Sequence, residues 1–296
     1  MYPLTRCSIW GVYYPKWSNV ILAEKGKVER FLSSHPVFTR REFRETVSPD
    51  QPLSSSDSLL KYHVSTGRVR HAAPGVYVAV PLHLNSKTYQ PDRLLVASRI
   101  RDDGILAFHT ALELHGLAYS ESAETQLLSK GRPGELKTGV GTVRFVAQPA
   151  AVRRSNSELD GTAVIDRRGL DMRVTTVERT LVDCVERPDL AGGNEELSNA
   201  LQTVRALDVA KLVELTTGRE NQSVAGILGC WLESRRDDLS VDDEVLKDLK
   251  RSAPSLPRPV LGATLQSGDA HPEWNVILPS EFLHPSFEGG SPGMTP

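Results

Sequence analysis

This sequence is poor in cysteine, in aromatic residues and in any sustained apolar run. Only 3 of its 296 residues are cysteine, and Cys7, Cys184 and Cys230 lie far apart. An odd, scattered set argues against a disulfide framework and for reduced cytosolic thiols, and without a CxxC pair no metal clip is indicated. No apolar stretch approaches the roughly 18 residues that a membrane helix needs. Met1 to Trp17 has neither a continuous apolar core nor a small-residue cleavage site, so a cytoplasmic protein is expected. A Walker loop is missing, and so is a GxGxxG after a strand, which removes the common nucleotide-binding designs. No internal repeat is visible.

Excess charge is also lacking. Lys and Arg number 35 against 37 Asp and Glu, a formal net charge of -2. Any nucleic-acid site must therefore be a local patch rather than a global field. Locally the charge is uneven. From Lys25 to His71 there are nine basic and five acidic residues, and from Lys130 to Arg179 ten and six. From Glu186 to Lys250 the sign flips, with eight basic and fourteen acidic residues. A polyanion-facing side and an opposite solvated side would produce this asymmetry. What remains is ordinary globular material, 39% hydrophobic and 24% charged, long enough for two domains.

The N-terminal region reads as three short helices and a hairpin. Val28, Phe31 and Leu32 form one apolar stripe at helical spacing, which His35-Pro36 ends. Thr39-Arg-Arg-Glu42 is a capping box that opens a second helix, with Phe43 and Val47 facing inward. Ser48-Pro-Asp-Gln-Pro52 is turn chemistry. A further capping box, Ser54 with Asp57, predicts a third helix with Leu59, Leu60 and Val64 inside and Ser58, Lys61, Tyr62 and Ser65 outside. Small or polar residues with one cation suit a helix lying in a major groove. Gly67 breaks it, and Arg68-Val-Arg-His71 with Gly75 to Val80 alternates as two strands around Ala72-Ala-Pro-Gly75.

Helices followed by a basic hairpin predict a winged helix-turn-helix. Its expected DNA-facing residues are Thr39, Arg40, Arg41 and Arg44, then Ser56, Ser58, Lys61, Tyr62 and Ser65, then Arg68, Arg70 and His71 on the wing. The whole chain is expected to be α+β, a winged helix followed by a larger mixed α/β domain with several C-terminal helices. The expected divisions are a leader at 1–24, the winged helix at 25–81, a linker at 82–91, a C-terminal domain at 92–279 and a disordered tail at 280–296. The leader carries Tyr2, Trp10, Tyr13, Tyr14 and Trp17 without indicating what they pack on.

Within 92–279, helices are expected from Asp92 and over Phe108 to His115, and strands over Thr125–Ser129, Val140–Gln148 and Arg173–Thr176. Thr175-Thr-Val-Glu178 reads as a third capping box, opening a helix with Val177, Leu181, Cys184 and Val185 on one face. Further helices are expected near 193–205, 208–217, 222–236 and 242–251, and a strand over Glu273–Leu278. Arg153-Arg154 and Arg167-Arg168 flank an expected hairpin at Asp160-Gly161 and could form a second phosphate-binding patch.

Three segments carry a resemblance to a known family. Arg68-Val-Arg-His-Ala-Ala-Pro-Gly-Val-Tyr-Val-Ala-Val80, Gly104-Ile-Leu-Ala-Phe-His-Thr-Ala-Leu-Glu-Leu-His-Gly-Leu-Ala118 and Val174-Thr-Thr-Val-Glu-Arg-Thr-Leu-Val-Asp183 resemble, in the expected order, the AbiEi antitoxins of type IV toxin-antitoxin systems. The resemblance spans roughly 28 to 278. It implies a transcriptional repressor that binds double-stranded DNA at its own operon. It also implies a functional partner, a nucleotidyltransferase-like toxin, opposed without a tight complex. Two departures stand out: the Ser48–Ser56 turn is longer than the family's, and the leader has no counterpart.

No catalytic role is expected. His109 and His115, six apart, face different ways and lack a third ligand, so both are expected to be structural. Glu178 is assigned to the capping box, Arg179 to a bracing ion pair, and Asp183 has no acid or base at helical spacing. Cofactors and metals are expected to be absent. Two alternatives are carried forward. One is a protein-interaction module built on a winged-helix scaffold. The other is a metal-dependent nuclease using Asp92 with Glu135-Leu-Lys137, which is disfavoured because Asp92 is expected to cap a helix.

Overall fold

The computed structural model describes residues 26–284; the leader 1–24 and residues 285–296 of the tail lie outside them. The chain divides into two compact units, Met1–Pro91 and Asp92–Pro296, and its class is mixed α+β.

In the first unit, helix α1 runs over 26–34 and buries Val28, Phe31 and Leu32, the expected stripe. Strand β1, Val37–Thr39, follows immediately. It is too short to show periodicity, and only its pairing partner reveals it. Thr39 then caps α2, Arg40–Val47, with the full box: its hydroxyl accepts from the Glu42 N–H at 3.1 Å and its own N–H donates to Glu42 at 2.6 Å. Helix α3, Leu53–Ser65, starts without the expected box, since Pro52 is its N-cap and no side chain caps it. The Asp57 carboxylate, expected to support that cap, is engaged by Arg40 instead. Ser56, Leu60 and His63 face inward along α3, while Leu59 is half-buried and Val64 exposed, so the inner face is rotated by about one residue from expectation. Gly67, at φ 73°, ends the helix as the Arg68 N–H returns to the His63 carbonyl at 3.0 Å.

Strands β2, Val69–Ala73, and β3, Val76–Ala79, form the expected hairpin, and β1 joins it antiparallel in the order β1-β3-β2. The core beneath is aromatic, with Phe38 set between Phe43 at 5.7 Å and Tyr77 at 5.9 Å, and Phe31 edge-on at 5.0 Å. Residues 82–91 are no free linker. They turn at Asn85 and return to the hairpin, where Arg70 Nη1 donates to the carbonyls of Ser86 and Tyr89 at 2.8 and 2.7 Å.

The second unit is built on a six-stranded mixed sheet. Its strands are β4 Ile105–Leu106, β5 Glu124–Ser129, β6 Gly134–Thr138, β7 Gly141–Ala147, β8 Thr162–Arg167 and β9 Leu170–Thr175, in the order β6-β7-β5-β4-β9-β8. Helices α4 (Arg93–Ser98), α5 (His109–Leu114), α6 (Ala150–Ser155) and α7 (Val177–Glu186) interrupt or follow them. The remaining helices are α8 Asn194–Thr203, α9 Val209–Thr217, α10 Gln222–Ser234, α11 Arg236–Leu239 and α12 Asp243–Arg251. Strands β10 (Arg258–Pro259), β11 (Gly268–His271) and β12 (Val276–Pro279) make a small second sheet. Helix α10 is apolar all round, as a helix central to a core must be, and every residue from Val224 to Leu232 is buried. Gly229 lets it lie against the ring of Trp274.

Four expectations need correction. The cap of α7 is Thr176 rather than Thr175, whose hydroxyl is buried against Thr180 at 2.7 Å; Glu178 accepts instead from the Asp208 N–H. The hairpin turns at Arg168-Gly169, not Asp160-Gly161: φ is 56° and 78° at those residues, as a two-residue turn of that hand requires. The last strand begins at Val276, because 272–275 form a turn. The fold also continues beyond 279. Phe282 and Leu283 are buried, and their carbonyls accept from Ser198 and Gln202 on α8. Among the described residues no helix is long and apolar enough to cross a membrane.

Candidate nucleic-acid interface

Backbone pairing joins the start of α2 to the tip of the β2–β3 hairpin, where the Arg40 N–H donates to the Gly75 carbonyl at 3.0 Å. Arg40 then reaches from the first turn of α2 to α3, where it makes a bidentate pair with Asp57, Nε to Oδ1 at 2.6 Å. That pair raises the Arg40 pKa and lowers that of Asp57, first through the shared hydrogen bonds and then through charge; Lys61 and Arg44 also draw the Asp57 value down. Arg41 is exposed beside Arg40, and Arg44 is half-buried one turn further on.

Along α3 the side chains of Ser58, Lys61, Tyr62 and Ser65 are exposed, Tyr62 at 60%. The Ser58 and Ser65 hydroxyls donate to the carbonyls of Ser54 and Tyr62, both at 2.8 Å. Ser56 departs from expectation, being buried at 3% exposure inside the unit, where no external ligand can reach it.

The hairpin also departs from expectation. Arg68 Nη1 and Nη2 grip the two carboxylate oxygens of Glu29 on α1 at 2.6 and 2.7 Å, and Arg70 is spent on the carbonyls of residues 86 and 89. Both are half-buried and point back into their own unit, so neither is a cation projecting from the wing. Only His71 keeps an exposed side chain on β2, edge-on to Tyr77 at 5.3 Å. The local sequence contains the arginines but not their partners, which lie 39, 16 and 19 residues away. The local pattern likewise offers Asp57 to a cap, because nothing within a few residues ties it to Arg40.

The two arginine doublets do not form one patch. Arg153 and Arg154 end α6, whereas Arg167 and Arg168 sit where β8 turns into β9. Strand β8, with 6 residues at about 3.3 Å each, separates the two. Arg154 pairs with Glu220, and Arg167 with Asp92 at 2.6 Å, while Arg168 lies 4.0 Å from the same carboxylate.

The strongest polar cluster in the second unit is buried. Arg179, 1% exposed, holds Asp183 at 2.9 Å, the Asp160 carbonyl at 2.8 Å and Gln148 at 2.9 Å. Arg219 grips the other oxygen of Asp183 and lies 3.7 Å from Glu186. Burial lowers the Arg219 pKa and raises that of Glu186. These residues tie α7 to the segments that flank α6 and to the turn after α9, the bracing role expected of Arg179. His109 is likewise enclosed, 3.2 Å from Glu113 and 3.5 Å from Glu196, and His115 meets the Thr175 carbonyl at 2.7 Å. The acids of the nuclease alternative are apart: Asp92 caps α4 and pairs with Arg167 at the end of β8, whereas Glu135 lies on β6, at the far edge of the sheet, and pairs with Arg144 of β7. Among the described residues no group of three or more His, Cys, Asp or Glu is placed to hold a metal ion.

No protein-family description matches the sequence, and no curated protein does. Among solved structures the chain is similar to the RV2827C protein from Mycobacterium tuberculosis, with a TM-score of 0.53 and 16% identity over 86% of this chain and 91% of that one. At this identity the likeness is one of fold alone.

Proposed function

We propose that this protein is a DNA-binding transcriptional repressor of its own operon, acting as the antitoxin of a type IV toxin-antitoxin pair. In this reading residues 26–91 are a winged helix-turn-helix, α3 is the helix that enters the major groove, and β2–β3 is a short wing. The observation that carries it is the element order α1-β1-α2-α3-β2-β3 with strand order β1-β3-β2, together with the outer face of α3. Ser58, Lys61, Tyr62 and Ser65 are what a groove-reading helix needs: hydroxyls for base edges, one cation and one ring. Arg40, Arg41 and Arg44 supply phosphate contacts beside it, and Thr39 serves by fixing the start of α2. The wing contributes His71 and its Pro74-Gly75 tip, but not Arg68 or Arg70. The toxin partner rests on the three resembling segments. No catalytic step is assigned to any residue, and a cytoplasmic repressor acting on double-stranded DNA needs neither cofactor nor membrane.

The test is a gel shift of the full chain on the DNA upstream of its gene, beside random duplex of equal length. Retardation of the upstream fragment at lower protein concentration supports the repressor; absence of any shift at low salt rejects it. Co-expression with the neighbouring reading frame tests the antitoxin part, where relief of toxicity without co-purification is expected. The inward-turned Arg68 and Arg70 favour a second reading, a protein-interaction module on the same scaffold. A stoichiometric partner in a pull-down, with no gel shift, would select it.

A further inference from the structure

Where α2 meets α3, the carboxylate of Asp57 is set among the cations Arg40, Arg44 and Lys61. Arg40 and Arg44 stand four apart on α2, and Asp57 and Lys61 stand four apart on α3, so each pair shares a helix face. Arg40 closes the square with its bidentate grip on Asp57, whose side chain is 26% exposed. A carboxylate held by a guanidinium fork has the planar, doubly accepting geometry that a phosphate also offers to arginine. We infer that Asp57 is a built-in competitor for the DNA backbone, holding Arg40 in the free protein at the place a phosphate takes when DNA binds. The inference rests on the DNA-binding reading above and names how its affinity is set.

Its physical content is an exchange. Binding a phosphate there releases Arg40 from Asp57, so part of the attraction to DNA is cancelled by the attraction already present inside the protein. The lower affinity applies to every sequence equally, because the backbone carries no sequence information. A repressor built this way is held off random DNA and depends on base contacts from α3 for its preference. Arg44 and Lys61 keep the site cationic when Arg40 turns outward, and both already lower the pKa of Asp57.

The test compares the full chain with Asp57→Asn, Arg40→Ala and the double variant, on upstream DNA and random duplex, over a range of salt. Asp57→Asn keeps the shape and can still hydrogen-bond, and its fold is checked by circular dichroism alongside Asp57→Ser. In the parent the carboxylate that Arg40 leaves draws a cation back and offsets one counterion released from the phosphate, so Asp57→Asn, which removes that offset, is expected to steepen the salt slope by about one and to tighten binding about fivefold at 0.15 M salt on both DNAs. In the Arg40→Ala background the same change is expected to gain much less. An equal gain with and without Arg40 overturns the inference, since Asp57 would then only repel DNA as a charge. Loss of affinity for upstream DNA alone also overturns it, because Asp57 would then read a base. Binding of neither DNA by the parent chain overturns the DNA-binding reading itself, which separates that failure from this one.

Discussion

Individual side chains in this molecule are decided by partners remote in sequence. Arg68 is a wing cation in sequence and a brace in space, so its removal is expected to act through stability. Arg68→Ala leaves Glu29, itself 38% exposed, without its fork, and a loss of about 1 kcal/mol in the first unit is expected after allowing for that exposure. Thermal melting reads the loss, while the folded variant retains the parent's DNA affinity; a clear drop in affinity at unchanged stability would return Arg68 to the interface. Asp183 lies at the other extreme. It neutralises Arg179 and Arg219, all three at 1% side-chain exposure. Asp183→Ala strands two buried guanidiniums and is expected to cost about 3–5 kcal/mol, measured by denaturant unfolding.

At the scale of elements, α3 and α10 show what periodicity does and does not determine. The amphipathic pattern of α3 is legible, yet its buried face turned out to be Ser56, Leu60 and His63 rather than Leu59, Leu60 and Val64. With only two or three apolar side chains on a short helix, a rotation of one residue costs little locally, and contact with the aromatic core chooses it. His63 carries a consequence. Burial first, and then the charge of Arg68, lowers its pKa below the ordinary histidine value, against a smaller opposing effect of Glu29. The unfolded chain then takes up a proton near pH 6.5 that the folded unit refuses, so stability is full above that pH and falls as the pH drops towards the folded value. Melting of the first unit is expected to move down between pH 7 and pH 5, and His63→Gln is expected to remove that dependence. In α10 the glycines are the constraint. A methyl at Gly229 would fall within the ring of Trp274, so Gly229→Ala is expected to destabilise the second unit by at least about 1–3 kcal/mol, seen as a lowered melting temperature.

For the whole molecule, the formal charge of -2 means that, on the proposed reading, DNA would be drawn by a local face and not by a long-range field. Binding by the parent chain is therefore expected to show a log–log salt slope of about −3, the contribution of Arg40, Arg41, Arg44 and Lys61 less the offset from Asp57. A slope near zero would remove the cationic face from the interface, and one far steeper would bring in other arginines. Much of the chain's organisation follows from local sequence, and the expected helices 193–205, 208–217, 222–236 and 242–251 correspond to α8, α9, α10 and α12. Less was legible at the site. Thr39, Lys61 and Tyr62 could be placed from caps and spacing, because those are interactions within a few residues. Arg154, Arg167, Arg68 and Arg70 could not, because their carboxylates and carbonyls lie 16 to 75 residues away.

What the sequence by itself determined is the set of elements with strong local reasons: the Thr39–Glu42 box, the stripe of α1, the Gly67 stop and the long amphipathic helices. Each depends on hydrogen bonds or apolar spacing between near neighbours, so it survives whatever the rest of the chain does. Tertiary structure alone decided the strand order, the existence of β1, the inner face of α3 and the partners of Arg40, Arg68, Arg70, Arg154 and Arg167. Those outcomes minimise exposed apolar area and unpaired charge across the whole unit, and no short window of sequence contains the groups being compared.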